Sequence, residues 1–236
     1  MIAIIMRVLA PIINILPERI IRYIGSKTSE FFLNKHVKLE VTGNEILSER
    51  IGKPTIFIAN HLSNMDGIVL NKVLKKNNVT FMAGTKLNTT PITSIFLKTV
   101  KHILINPNSV NRDAIKNALA VLSMRESILI FPEGTRSRSG SMIKGKKGVL
   151  LLARLSKADI VPIALEGTEH LLPINQNDMG KETPQHATVR VNIGKPFQLE
   201  KKDHNCGNWD EECVYTVMRK IAQMLKSEYQ GVYKID

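Results

Sequence analysis

The chain has 236 residues, 43% of them apolar, which is enough for one domain with a real core and excludes a disordered or fibrous chain. Its 33 Lys and Arg against 21 Asp and Glu leave a formal charge of +12, which calls for an anionic partner. Aromatic residues are only 5% of the chain and form no base-stacking string, so no nucleic-acid partner is expected, and Cys206 and Cys213 are too few for a disulfide framework.

Residues 1–25 are the most apolar stretch. Arg7, Asn14 and Pro11 interrupt it, so it does not read as a transmembrane span. No charged segment precedes it and no small-residue cleavage site follows, so it does not read as a signal peptide either. Ile2, Ile5, Met6, Leu9, Ile13, Leu16, Ile20 and Ile24 recur at helical spacing. Pro17-Glu18 opens a second helix, with Ile20, Ile21, Ile24, Phe31 and Phe32 along one side and Arg19, Arg22 and Lys27 at its flank. Two readings follow for residues 1–36. They form a monotopic anchor on an anionic membrane surface, at its cytoplasmic face, or an amphipathic pair packed on the core. The amount of isoleucine favours the anchor.

Residues 37–236 read as one α/β domain. Val37–Val41 alternates like a half-buried strand, and residues 55–59, 79–83, 101–105, 127–131, 160–165 and 188–194 complete a set of about seven. Helical segments lie between them, at 65–76, 110–124 (capped by Asn108 or Ser109) and 147–157. A last helix spans 209–229, with Val214, Val217, Met218, Ile221, Met224 and Leu225 on one face. Strand and helix in alternation predict a mostly parallel or mixed sheet flanked by helices.

Two strand ends carry candidate chemistry. The strand 55–59 ends at Asn60-His61, with Asp66 five positions after the histidine. In open α/β sheets ligands bind at the C-terminal edge of the strands. If a turn folds Asp66 back, its carboxylate fixes the His61 tautomer and leaves the second ring nitrogen as a base. The plainer alternative is a helix cap beside a surface histidine. The strand 127–131 ends in Phe131-Pro132-Glu133-Gly134-Thr135-Arg136-Ser137-Arg138. Gly134 permits a tight turn, and exposed amides with the two guanidiniums make a phosphate cradle, Glu133 pairing with Arg136 to hold it. Lys144, Lys146 and Lys147 follow downstream, and a solvated basic face is the simpler account of any one of them.

Other motifs fail. Residues 140–147 nearly spell a P-loop, but Lys147 stands where a magnesium-binding Ser or Thr belongs. No G-x-S-x-G elbow offers a serine nucleophile. His204, Cys206 and Cys213 lack paired zinc spacing, so no metal is expected.

Together the two segments resemble the glycerolipid acyltransferase family, and within it most closely the 1-acylglycerol-3-phosphate branch. The resemblance rests on Asn60-His61-x4-Asp66 followed by Phe131-Pro132-Glu133-Gly134-Thr135-Arg136-Ser137, and extends to Lys146-Lys147-Gly148 and Ile160-Val161-Pro162-Ile163-Ala164. It implies acyl transfer from a thioester, either acyl-CoA or acyl carrier protein, to a lysophospholipid hydroxyl, without a further cofactor. It implies His61 and Asp66 as the catalytic pair, and Glu133, Gly134, Thr135, Arg136, Lys146 and Lys147 as substrate-binding residues. Where the family carries an arginine after the strand 102–105, this chain has Asn106-Pro107; Arg112, the next arginine, is the candidate to take its place in binding substrate. Another lysolipid acceptor therefore stays open, as does a non-catalytic basic membrane-binding protein.

Overall fold

The computed structural model describes residues 17–85, 97–106, 112–173, 183–200 and 208–234. Helix α1 (Glu18–His36) runs directly into β1 (Val37–Thr42), followed by the short α2 (Asn44–Glu49). The first central strand is β2 (Thr55–Ala59), followed by α3 (Asp66–Val73), β3 (Val79–Gly84) and β4 (His102–Ile105). Then come α4 (Arg112–Ser123), β5 (Ser127–Ile130), α5 (Gly148–Ser156), β6 (Asp159–Glu166), α6 (Thr168–Leu171), β7 (Ala187–Ile193) and α7 (Trp209–Ala222). The sheet has seven strands in the order β1-β7-β6-β2-β5-β3-β4, and only the β6–β7 pair is antiparallel. The expected mostly parallel sheet flanked by helices is the fold observed.

Strand β2 shows how the core is divided. All five of its residues are buried, and successive side chains point to opposite faces. Ile56 and Ile58 join the core beneath α4, α5 and α7, with Ala114, Ala118, Val149, Val217 and Ile221. Phe57 and Ala59 join the opposite core, with Leu33 of α1, Leu47 of α2 and Val69 and Leu70 of α3. A strand buried on both faces reads as a continuous apolar run, and Thr55–Ala59 is one.

Pro162 lies mid-strand in β6, where a missing N–H normally breaks a ladder. Its carbonyl accepts from Gly194 N–H at 2.8 Å, on the side toward β7. A residue's nitrogen faces the same side as its own carbonyl, so the proline ring meets β7 just past the end of their pairing and the ladder to β2 is intact.

Three expected elements differ, two in extent and one in the side it buries. The helix foreseen at 65–76 stops at Val73 and gives way to a 3-10 turn at Lys75–Asn77. Helix α7 ends at Ala222 rather than Tyr229, because the chain turns back over the 142–145 loop through 3-10 turns at Ser227–Tyr229 and Gly231–Tyr233. In α1 the apolar residues do not share one side. Leu33 is buried and Phe32 packs beside it, whereas Ile20, Tyr23, Ile24 and Phe31 are 43%, 65%, 48% and 70% exposed, on the outward face. The inward side is partly small, and a Cβ at Gly25 would overlap Thr99. The first expected N-terminal helix and the proposed cap of α4 lie outside the described residues. Among the described residues, no helix is long and apolar enough to cross a membrane.

Candidate active site

Strands β6, β2 and β5 are neighbours and parallel, so their C-terminal ends open on the same edge of the sheet. The loops that follow them meet there. Asn60, fully buried, pins the end of β2 by a two-way lock: its Nδ2 donates to the Leu165 carbonyl at 2.9 Å and its Oδ1 accepts from Leu165 N–H at 2.8 Å. The next residue, His61, is thereby fixed at the lip, with 17% of its side chain exposed. Its ring stacks on Phe131, the first residue beyond β5, with centroids 4.1 Å apart.

The turn from His61 to Asp66 does fold back. His61 Nδ1 and Asp66 Oδ2 are 2.7 Å apart. Asp66 is fully buried, and the same Oδ2 accepts from Leu62 N–H at 2.7 Å and Ser63 N–H at 2.9 Å. Its Oδ1 accepts from the Thr168 hydroxyl, at the start of α6. A carboxylate with donors aimed at both oxygens acts only as an acceptor, so His61 Nδ1 carries the proton and Nε2 the lone pair. Thr168 is a residue of the site that sequence reasoning did not find. It lies 102 positions from Asp66, and nothing but its place at the end of β6 could have marked it.

The Glu133–Arg136 pair expected from sequence is not what forms. Glu133 is 1% exposed, and its Oε1 accepts from His61 N–H at 2.8 Å and its Oε2 from Ile143 N–H at 3.0 Å. Backbone amides within reach outcompete a mobile guanidinium for a buried carboxylate. Glu133 is therefore a strut joining three loop positions. Burial pushes its pKa up from 4.5 to about 7, against the lowering effect of the two amides. A second tie runs from Ser137 N–H to the His61 carbonyl, at 2.8 Å.

Gly134 turns at φ +70°, a conformation that favours glycine. Lys146 lies over it: a Cβ at Gly134 would come within 3.0 Å of the ammonium. Lys146 is anchored by its own N–H to the Pro132 carbonyl at 2.8 Å. Thr135 is exposed and Arg136 half-buried, and Arg136 makes no hydrogen bond or ion pair with another described residue. The adjacent Lys147 lies 3.7 Å from Glu211 of α7, whereas Lys146 lies over the Gly134 turn. Arg112 is exposed at the start of α4, beyond β4. That strand is three places from β2, roughly 14 Å at ordinary strand spacing. Among the described residues, no hydrogen bond or ion pair joins Arg112 to the histidine. Of the three residues weighed as zinc ligands, Cys213 is buried and free, and His204 and Cys206 lie outside the described residues.

A His–Asp pair whose carboxylate is buried, beside a basic, glycine-turned loop, both at the C-terminal edge of an α/β sheet, defines a centre that offers a base and an anion site. A sequence model of the acyltransferase family matches residues 38–166, and the chain belongs to that family. A 1-acyl-sn-glycerol-3-phosphate acyltransferase of Borreliella burgdorferi is 32% identical over 170 residues, 71% of this chain and 67% of that one. A chloroplastic 1-acyl-sn-glycerol-3-phosphate acyltransferase of Arabidopsis thaliana is 29% identical over 172 residues, 72% of this chain and 46% of that one. The chain spans about half the length of the plant relatives. The crystal structure of the 1-acyl-sn-glycerophosphate acyltransferase of Thermotoga maritima shares the fold, with a TM-score of 0.60 and 22% identity over 85% of this chain and 76% of that one.

Proposed function

We propose that the protein transfers an acyl group from an acyl thioester to the free hydroxyl of a 1-acylglycerol-3-phosphate, giving phosphatidate. The observation that carries this reading is the His61–Asp66 pair, with Nε2 left as the basic nitrogen. His61 Nε2 takes the proton of the acceptor hydroxyl as its oxygen attacks the thioester carbonyl carbon. The tetrahedral intermediate collapses with cleavage of the C–S bond, and the thiolate leaves with that proton. Asp66 holds the imidazole in one tautomer and stabilises the imidazolium. General-base help of this kind is worth about 10²–10⁴-fold. The chain needs no acyl-enzyme and no cofactor for these steps, only acyl-CoA or acyl carrier protein as co-substrate.

The acceptor's phosphomonoester carries close to two negative charges and must be neutralised where it binds. Arg136 and Lys146 supply two positive groups beside the Gly134 turn. They stand in for the arginine that is absent after β4, where Asn106 follows the strand. The outward apolar face of α1, flanked by Arg19 and Lys27, would bring the enzyme to an anionic membrane, where this acceptor resides.

The test is an acceptor panel with one acyl-CoA. Arg136→Ala should raise the lysophosphatidate KM at least about tenfold while the acyl-CoA KM moves less than about twofold. A lysolipid without a phosphomonoester that reacts as fast as lysophosphatidate would make the acceptor assignment wrong and favour a different lysolipid.

A further inference from the structure

The loop that carries Lys146 is held from a part of the chain beyond residues 38–166, the span that the family model matches. After α7 the chain doubles back in two 3-10 turns, Ser227–Tyr229 and Gly231–Tyr233. The reversal needs Gly231: its φ is +53°, and a Cβ there would overlap the Met142 carbonyl oxygen. Contact with the loop is then made on both sides of Met142. Met142 N–H donates to the Tyr229 carbonyl at 2.8 Å, and Val232 N–H donates to the Met142 carbonyl at 3.3 Å.

The last bond of the series comes from a side chain. Gly145 N–H donates to the Tyr233 hydroxyl oxygen at 2.8 Å, and Tyr233 is 2% exposed. Gly145 has no slack on its other side, where a Cβ would come within 2.8 Å of Met218 in α7. The position of this amide is therefore fixed by the tail and by the helix together. One residue on, Lys146 binds the Pro132 carbonyl and lies over Gly134. Two residues back, Ile143 N–H binds the Glu133 strut. Tyr229 also reaches the third loop of the site. Its hydroxyl donates to Glu169 Oε1 at 2.6 Å, next to Thr168, which binds Asp66.

We propose that residues 226–233 are a clasp on the phosphate-gripping loop, and that Tyr233 is a positioning residue which sets acceptor affinity through the Gly145 amide and Lys146. The inference rests on the reading of Lys146 and Arg136 as the acceptor's phosphate site. The chemistry is local. Tyr233→Phe keeps the ring and its packing but removes the one group that Gly145 N–H binds among the described residues. An amide left without an acceptor in a half-buried place turns toward water or another carbonyl, and Lys146 moves with it. The catalytic pair is untouched, because none of its bonds involves this tail residue.

The experiment compares wild type, Tyr233→Phe and Gly231→Ala in the full chain by steady-state kinetics, thermal melting and amide hydrogen exchange. Tyr233→Phe should raise the lysophosphatidate KM about 5–10-fold, leave kcat within about twofold, and speed exchange of the Gly145 amide by a similar factor. Gly231→Ala, which dislodges the whole turn, should do the same to a greater degree. An unchanged acceptor KM in Tyr233→Phe, or a fall in kcat alone together with a lower melting temperature, means that the tyrosine is only structural and overturns the proposal. A wild-type chain that does not acylate lysophosphatidate removes the functional reading and with it the affinity role. The exchange data then still decide whether Tyr233 holds the loop.

Discussion

At the scale of single residues, the site depends on buried carboxylates whose partners are mostly backbone amides. Glu133 is one of them. Its pKa rises on folding from 4.5 to about 7, so the native state holds that proton more tightly than the unfolded chain does. Its contribution to stability is therefore full below pH 4.5, falls as the pH rises through 7, and levels off above it; the change is on the order of 3 kcal/mol. Glu133→Gln cannot titrate, so the stability difference between wild type and this variant should shift against wild type by that amount between pH 4.5 and 8. Denaturant unfolding at several pH values measures it, and parallel pH profiles for the two proteins would refute it. The His61–Asp66 pair was legible in the sequence because both residues sit within one turn of a strand end. The Glu133 role was not legible. Opposite charges three residues apart suggest a pair, and nothing in a sequence announces that two amides from distant loops will face the same carboxylate. Thr168 was hidden for the same reason, since its partner is reached only through the sheet.

At the scale of elements, the strands were legible because each is a short apolar or alternating run, and observed ends differ from the sequence-derived ones by a residue or so. The end of α7 was not legible. Met224 and Leu225 continue its apolar spacing, yet the helix stops where Lys226 N–H meets Glu166 Oε1 at 2.9 Å and the tail turns toward Met142. In α1, periodicity revealed an amphipathic helix but not which side docks. Leu33 anchors one side in the core with Phe32 beside it, and Ile20, Tyr23, Ile24 and Phe31 face out. An outward row of Ile20, Tyr23, Ile24 and Phe31 beside basic residues fits a lipid surface. Replacing those four by serine should leave the thermal melt close to wild type and lower partitioning onto anionic vesicles at least about tenfold, given the apolar area removed. Flotation with anionic and neutral vesicles is the measurement. Undiminished flotation would assign membrane contact to another part of the chain.

At the scale of the whole molecule, the decisive feature is strand order, which the sequence does not display. Strands β2, β5 and β6 are separated by long stretches of chain, yet lie side by side. That adjacency places His61, the Glu133–Arg136 loop and Thr168 at one edge. Strand and helix alternation predicted an α/β sheet, but pairing follows from which faces must be covered, and several orders satisfy that. The net charge of +12 suits both an anionic membrane and an anionic acyl donor. The account stands or falls on acyl transfer with His61 as its base. The direct measurement is thiol release from acyl-CoA on addition of lysophosphatidate, for wild type and His61→Ala, beside a thermal melt of each. The account predicts release in wild type, at least a hundredfold slower turnover in His61→Ala in line with the roughly 10²–10⁴-fold worth of a general base, and equal melts. A folded His61→Ala protein keeping more than about a tenth of wild-type turnover, far above what loss of a general base allows, would contradict it.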